Sequence, residues 1–174
     1  MNKNYPLPLF SLEFLAKNKK RLKNVVLAGG VFDIVHAGHV AHLKKAKSYG
    51  KTLIIHIPSD KRVREKKGDG RPVFSQEKRA LLVEAIRFVD YVFIHDGRHY
   101  DQEVIDAVKP DIILFNKEAY SEDVKEKIKN LKNFKGKVIV SDEEKIDSTS
   151  GIIERIKNGS SSLAPFIKTP VKHL

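Results

Sequence analysis

The sequence GGVFDIVHAGH, residues 29–39, lies where a short apolar run ends and an amphipathic run begins. Val25–Ala28 before it has the pattern of a strand that is buried on both faces. Val40, Leu43 and Ala46 after it share one helical face. Paired glycines let the backbone approach a ligand closely, and a helix start presents unpaired N–H groups to an anion. Residues 29–39 therefore predict a strand-to-helix turn that binds phosphate groups.

The same alternation of strand and helix patterns continues along the chain and predicts its fold class. The order βαβα is typical of an α/β, Rossmann-like, doubly wound domain with a mostly parallel five-stranded sheet. The predicted strands are Val25–Ala28, Leu53–Ile57, Tyr91–Ile94, Ile112–Phe115 and Val138–Val140. Beyond the helix after residue 39, the predicted helices are one that follows Ser75, then Gln102–Val108 and Glu122–Leu131.

The chain length of 174 residues suits one domain with a short segment on either side. Leu12 and Leu15 precede the first strand at helical spacing, so residues 1–24 are predicted to form an N-terminal helical extension that packs outside the core unit. Residues 25–157 are assigned to the domain itself. Residues 158–174 contain prolines and serines without a sustained period, and they predict a C-terminal tail.

The composition restricts the class of protein. Hydrophobic residues make up 41% and charged residues 32% of the chain, which is typical of a globular domain. The apolar runs are far shorter than the ~20 residues that cross a bilayer, and no secretory signal is visible. The absence of cysteine excludes a disulfide framework and thiolate chemistry. We therefore expect a cytoplasmic protein that makes no membrane contact.

The formal net charge of +11 predicts anionic partners. The lysines of residues 17–23 and 125–137 are expected to form solvated helix faces. Residues 61–71 differ, because six basic side chains there stand beside glycines. This segment is predicted to be a flexible basic loop that closes over a bound phosphate group.

Two histidines have a spacing that indicates a shared task. His36 and His39 are three residues apart at a helix start, so they can face the same side and donate to neighbouring phosphate oxygens. His42 is expected to pack or cap, and His56 lies within a predicted strand and could approach the site from the strand end. Residues 95–101 are expected to form a polar loop, since their histidine and aspartate spacing matches no metal-ligand set.

Three motifs together resemble the HxGH nucleotidyltransferase superfamily. The first is His36-Ala-Gly-His39, preceded by Gly-Val-Phe-Asp. The second is Lys-Gly-Asp-x-Arg-Pro-Val at residues 67–73, and the third is Asp-Ser-Thr-Ser-Gly at residues 147–151. The last two are similar to the adenylyltransferase domain of bacterial heptose-phosphate (ADP-heptose synthase) enzymes, and the likeness covers residues 25–157. It implies transfer of a nucleotidyl group from ATP or CTP to a phosphate, with release of pyrophosphate.

The resemblance also implies roles for individual residues. His36, His39 and Lys67 would be the catalytic residues, and Mg²⁺ or another divalent cation would accompany the triphosphate, with no protein ligand assigned to it. The implied nucleotide-binding residues are Gly29, Gly30, Val31, Phe32, Asp33, Gly38, Ser148, Thr149 and Ser150. The residues implied to bind phosphate or acceptor are Lys66, Arg71, Asp60, Arg79 and Asn116.

The sequence indicates the nucleotide that is transferred more narrowly than the phosphate that accepts it. After the fourth strand the heptose enzymes carry Lys-Gly-Gly-Asp, whereas this chain reads Phe115-Asn-Lys-Glu-Ala-Tyr120. Transfer of AMP to a sugar phosphate such as heptose 1-phosphate is favoured, with FMN (an FAD synthetase) or a phospho-alcohol (a cytidylyltransferase) as alternatives. An inactive nucleic-acid-binding domain is the alternative from another class, supported by charge alone because no aromatic residues alternate with the basic clusters. The resemblance further implies a homodimer.

Overall fold

A parallel sheet of five strands forms the centre of the protein in a computed structural model, which describes residues 10–142 and 147–158. Its strands are β1 (Val25–Gly29), β2 (Thr52–Pro58), β3 (Tyr91–His95), β4 (Ile112–Asn116) and β5 (Lys137–Ser141). Their order across the sheet is β3-β2-β1-β4-β5. The chain thus moves outward from β1 to β3 and then crosses to the other side of β1. The predicted doubly wound α/β fold is confirmed.

Seven α-helices of the described residues connect and cover the strands. They are α1 (Leu12–Asn18), α2 (Ala37–Ser48), α3 (Asp60–Lys67), α4 (Gln76–Glu84), α5 (Gln102–Val108), α6 (Glu122–Lys129) and α7 (Thr149–Lys157), with short 3-10 helices at Lys19–Arg21 and Lys117–Ala119. Serine is the N-cap residue of five of these helices, and in four of them its hydroxyl accepts a backbone N–H of the first turn. Among these described elements, no helix has both the length and the apolar character needed to cross a membrane.

Alternation along the strands builds two separate apolar layers. Val25 and Leu27 point to the layer that contains α1, α5 and α6, whereas Val26 and Ala28 point to the layer of α2 and α4. All four side chains are buried, as expected for a parallel strand that is covered on both faces. The sheet is thereby covered on both faces, and a site can be built at its strand ends.

Helix α1 belongs to one of these layers. Leu15 is fully buried in the same cluster as Leu27 and Phe93. The N–H of Phe10 donates to the carbonyl of Val92, 3.2 Å away, and so ties the start of this helix to β3. The prediction that α1 packs outside the core unit is wrong, because its apolar face completes the layer against α5. The predicted tail lies outside the described residues from position 159 onward.

The basic segment predicted as a flexible loop is largely helical. Ser59 caps α3, Val63 anchors it in the interior, and Gly68 ends it with a φ of 82° that favours glycine. Lys66 and Lys67 thus lie in the last turn of a helix. The true loop is shorter and covers residues 68–75. The prediction failed there because basic residues without clear apolar periodicity gave little helical signal.

Candidate active site

The site begins where β1 ends, beside β4. In doubly wound sheets, ligands bind beyond the carboxyl ends of the strands at the point where the strand order reverses, and here that point lies between β1 and β4. The N–H of Gly30 donates to the carbonyl of His56 at 3.2 Å, so the turn leaves the sheet in a defined direction. Helix α2 then begins at Ala37, with His36 as its N-cap residue.

The two motif histidines lie together, as the spacing predicts. The rings of His36 and His39 stack with centroids 3.8 Å apart and an angle of 25° between their planes. The ring of Phe32 packs on His39 at 4.9 Å. Within the described part of the chain, the Nδ1 atoms of both histidines are shielded from solvent and have no hydrogen-bond partner. Ring packing therefore contributes to holding the pair, and both Nδ1 atoms are without a protein partner there.

The surroundings of this pair disfavour positive charge on the rings. Burial lowers the pKa of His39 to about 4, with smaller contributions from His36, His42 and Lys67 nearby. Burial also lowers the pKa of His36, although the carboxylate of Asp147 acts in the opposite direction. Without a ligand, burial therefore favours the neutral form of both rings. A bound phosphate would supply the negative charge that favours protonation, so charge on the pair is coupled to occupancy of the site.

The predicted Ser-Thr turn lies beside the histidine motif. The hydroxyl of Thr149 donates to the carbonyl of Ile34 at 3.4 Å, and a β-carbon added to Gly38 would lie 3.4 Å from the backbone nitrogen of Asp147. The Ser148 hydroxyl accepts the N–H of Gly151 and caps α7. The starts of α2 and α7 therefore adjoin each other, and two helix N-termini suit one polyanionic ligand.

Asp147 is a functional candidate that sequence reasoning missed. Arg155, eight residues later, donates to both carboxylate oxygens of Asp147 at 3.0 and 3.2 Å. This fixed carboxylate acts on His36, whose pKa it raises against the effect of burial. The only available sequence signal was the position of Asp147 directly before the Ser-Thr turn.

Asp33 organises the loop that faces the histidines. Its side chain is 1% exposed, and one oxygen accepts from Nε of Arg71 at 2.6 Å. The other oxygen accepts the N–H groups of Val73 and Phe74 at 2.7 and 3.0 Å. Both oxygens are thus engaged within the protein, and we assign Asp33 a positioning role instead of the predicted nucleotide contact.

Arg79 connects four parts of the site from the interior. It is fully buried, and its guanidinium donates to the carbonyls of Phe74, Val31 and Pro58 at 3.1, 2.8 and 2.8 Å. It also forms an ion pair with Asp60 at 2.8 Å. The predicted substrate contact of Arg79 does not agree with this geometry, since the buried guanidinium is committed to the protein. The substrate contact of Asp60, whose side chain is 23% exposed, stays a prediction. The pair instead holds the glycine turn, the end of β2 and the 68–75 loop together.

The remaining predicted basic residues lie at the end of α3 and in the 68–75 loop. Lys67 is close enough to His39 to lower its pKa, and Lys66 is exposed beside it. The Nη2 atom of Arg71 is shielded and has no partner among the described residues. Residues 69–73 face Ser150 and neighbouring positions of α7 across a groove of about 600 Å³. The groove thus contains two of the predicted site residues, Arg71 and Ser150.

Asn116 lies at the end of β4, next to the point where the strand order reverses. Its side-chain oxygen accepts the N–H of Ala119 at 2.9 Å and caps the 3-10 helix that follows. Asn116, a predicted substrate-binding residue, therefore lies at the strand ends as expected for a site there. It is on one side of β1, whereas α3, which follows β2, is on the other. Its amide nitrogen remains a candidate group for a ligand.

Comparison with known proteins identifies the family. The model of the cytidylyltransferase-like family matches residues 27–158, which include every motif of the site. The chain belongs to the cytidylyltransferase-like family. The expected resemblance to nucleotidyltransferases is confirmed.

Sequence relatives narrow the likeness further. The bifunctional protein HldE of Campylobacter jejuni subsp. doylei is 41% identical over 146 residues, which are 84% of this chain and 30% of that protein. The bifunctional protein HldE of Helicobacter pylori is 34% identical over 165 residues, covering 90% of this chain and 33% of that protein. The chain thus spans about a third of the length of these relatives.

Solved structures agree with the fold. A lipopolysaccharide core biosynthesis protein from Thermoplasma volcanium superimposes with a TM-score of 0.59 at 28% identity, covering 72% of this chain and all of that one. A pantoate-beta-alanine ligase from Francisella tularensis superimposes with a TM-score of 0.56 at 15% identity, covering 75% of this chain and 64% of that one. The second likeness concerns the fold alone.

Proposed function

We propose that this protein transfers AMP from ATP to a sugar phosphate of the heptose 1-phosphate type and releases pyrophosphate. The observation that carries the proposal is the stacked His36–His39 pair at the start of α2, adjoining the start of α7. The HldE relatives and the Lys-Gly-Asp-x-Arg-Pro-Val stretch favour ATP over CTP and a sugar phosphate over other acceptors.

The reaction needs alignment and charge neutralisation more than proton transfer. A phosphate monoester is largely ionised at neutral pH, since its second pKa is about 6, and it can attack the α-phosphorus without a general base. The bond that breaks is the one between the α-phosphorus and the bridging oxygen, and pyrophosphate leaves with the electron pair. Hydrogen bonds from His36 and His39 and from the helix N-termini would stabilise the negative charge that develops on these oxygens.

Basic residues on the α3 side would complete the phosphate site. Lys67 adjoins His39, and Arg71 is oriented by Asp33 with one nitrogen still unbonded within the described residues. A planar guanidinium can bind two phosphate oxygens at once, whereas a lysine acts as a point charge. We therefore assign Arg71 and Lys67 to the phosphates, with Lys66 as a weaker contributor from the exposed helix end.

A divalent cation would enter with the triphosphate. Within residues 10–142 and 147–158, no three His, Cys, Asp or Glu side chains are grouped to hold a metal ion. Mg²⁺ commonly binds through substrate phosphates and water and needs few protein ligands. The site is compatible with such a cation, which would supply additional charge neutralisation on the phosphates.

Pyrophosphate release tests the proposal directly. ATP or CTP is paired with sugar 1-phosphates, FMN, glycerol phosphate and phosphopantetheine, and His36→Ala and His39→Ala variants control for contaminating activity. We expect turnover with ATP and a sugar 1-phosphate, and loss of that turnover in both variants. Turnover only with FMN or a phospho-alcohol would replace the acceptor assignment. The nucleic-acid-binding alternative would be favoured by two results together. There would be no turnover with any pair, and the protein would bind nucleic acid with an affinity that falls steeply with salt and is unchanged by both substitutions.

We further propose a homodimer, as the family resemblance implies. Leu81 and Leu82 support an interface, because these neighbouring side chains of α4 are 47% and 40% exposed. Light scattering should give twice the mass of one chain, and a charged substitution at Leu82 should reduce it. A monomer at micromolar concentration would contradict the dimer.

A further inference from the structure

His99 occupies a position that the reaction described above does not use. It comes from residues 96–101, which join β3 to α5, yet its ring lies at the end of β1. A β-carbon added to Gly29 would be 2.6 Å from Nδ1 of His99, so only glycine allows this approach. The ring also packs on Phe115 of β4, with centroids 4.9 Å apart. His99 therefore lies where β1 and β4 separate, at the reversal point of the sheet where ligands bind.

The ring has an unused hydrogen-bonding group and no charge. Its Nε2 is shielded from solvent and has no partner in the part of the chain that the structure describes. Burial, with a smaller contribution from His56, lowers the pKa of His99 to about 3, so the imidazole is neutral at pH 7. An unpaired buried N–H is rarer in proteins than an unpaired buried acceptor. We therefore take the shielded Nε2 as the acceptor nitrogen and place the proton on Nδ1, beside Gly29. The ring then presents a neutral donor at the end of β1.

The two sides of the strand ends differ in the groups that line them, with basic and histidine side chains on one side and a row of aromatic rings on the other, where the Lys125 ammonium lies 5.6 Å from the outer ring, Tyr120. The α2 and α3 side carries the histidine pair with Lys67 and Arg71. On the α5 side, uncharged rings follow one another, since Phe115 lies beside His99 and Tyr120 lies 5.2 Å from Phe115. Aromatic rings and neutral polar groups suit the CH faces and hydroxyl groups of a sugar, whereas a phosphate prefers the basic side.

We propose that His99 is a specificity-determining residue for the acceptor and that its imidazole donates a hydrogen bond to a hydroxyl group of the acceptor's sugar. The inference rests on the proposed function, and it adds the residue that distinguishes one sugar phosphate from another. It also connects His99 to residues 115–120, where the chain departs from the heptose enzymes and where the partner rings of this surface lie.

A pair of substitutions of equal shape tests the hydrogen bond. Asparagine places an N–H donor near the position of Nδ1, whereas leucine has the same shape and no donor. We expect His99→Leu to lower kcat/KM for the sugar phosphate roughly 10- to 100-fold, with KM for ATP within two-fold of the original value. His99→Asn should stay within five-fold. His95→Asn is the matched control, because it makes the same replacement at the end of β3, two strands away from β1, and it should change kcat/KM less than three-fold.

Deoxy analogues of the sugar phosphate locate the hydroxyl group. The unmodified protein should lose about 10- to 100-fold in kcat/KM with one analogue, and His99→Leu should not distinguish that analogue from the parent sugar phosphate. Equal losses in the Asn and Leu variants, or a matching loss in ATP affinity, would show that His99 only supports packing and would overturn the inference. If His99→Leu does not fold, His99→Met replaces it. If neither folds, the unmodified protein decides, since equal rates with every deoxy analogue would overturn the inference.

The two proposals fail in different ways. If the unmodified protein releases no pyrophosphate with any sugar phosphate, the proposed function fails. If it does turn over a sugar phosphate and His99→Leu keeps kcat/KM within two-fold, the function stands and the inference about His99 fails.

Discussion

Replacing Arg79 with methionine should destabilise the fold as well as reduce activity. The side chain has no solvent exposure, and its guanidinium makes four hydrogen bonds to groups that lie 5 to 48 positions away in the sequence. Methionine fills a similar space without a donor. Arg79→Met therefore removes the connection between the glycine turn, the end of β2 and the 68–75 loop.

The size of the effect follows from the groups left behind. Three carbonyls, those of Phe74, Val31 and Pro58, would lose their donor, and each buried unsatisfied group costs about 1 kcal/mol or more. The Asp60 carboxylate is 23% exposed, so water can partly replace its partner. We expect a loss of about 3 to 5 kcal/mol in the free energy of unfolding, which lowers Tm by roughly 6 to 20 °C.

Urea denaturation and calorimetry can measure this loss. Lys78→Met is the matched control, since it makes the same replacement one residue earlier at an exposed position of α4 and should change stability by less than about 0.5 kcal/mol. If Arg79→Met were as stable as Lys78→Met yet inactive, Arg79 would be a substrate ligand, as the sequence pattern indicated. The buried side chain would then not be what connects these three segments.

Three further outcomes test the site. His39→Ala should lower turnover at least ~100-fold, because a charge-stabilising contact is worth about 3 kcal/mol, with stability nearly unchanged, and near-normal turnover would refute the assignment. Asp33→Asn places a neutral amide opposite the guanidinium of Arg71 and should lower the free energy of unfolding, measured in urea, by about 2 to 4 kcal/mol. An unchanged urea midpoint would contradict a stabilising role of this ion pair. Burial lowers the pKa of His56 to about 4, below the ~6.5 of an unfolded chain. Neutral His56 thus contributes its full stabilisation above pH 6.5. As the pH falls toward 4, the free energy of unfolding should decrease by up to about 1.4 kcal/mol per pH unit. His56→Gln should reduce this dependence on pH.

The parts of the fold that sequence predicted well are those with local causes. All five strands appear within one residue of the predicted bounds, because continuous apolar runs between polar turns are specific to strands buried on both faces. Helix α5 has the predicted bounds Gln102–Val108, where Pro110 limits its extension. Helix α3 was missed, since only Val63 of its residues is buried. Its cap at Ser59 was the available signal.

The histidine pair was predictable for the same reason. His36 and His39 are three residues apart at a helix start, and this spacing alone brings their rings to one side. The Ser-Thr turn also carries a local signal, since Ser148 caps α7 within three residues. The two motifs meet where the hydroxyl of Thr149 donates to the carbonyl of Ile34. This contact could not be predicted from spacing, because 115 positions separate the two residues.

The sequence by itself determined the α/β alternation, the strand-to-helix turn and the histidine spacing, because periodicity and capping act over a few residues. Only the tertiary structure decided which charged and polar groups are committed to the interior. Asp33 and Arg79 look equally available for a ligand in the sequence, yet both side chains are buried by contacts that include groups 41 and 48 positions away. His99 likewise lies beside Gly29, 70 positions earlier, because the order of the strands carries its loop to the end of β1. Burial and partner choice depend on such long-range packing, and local sequence patterns contain no record of them.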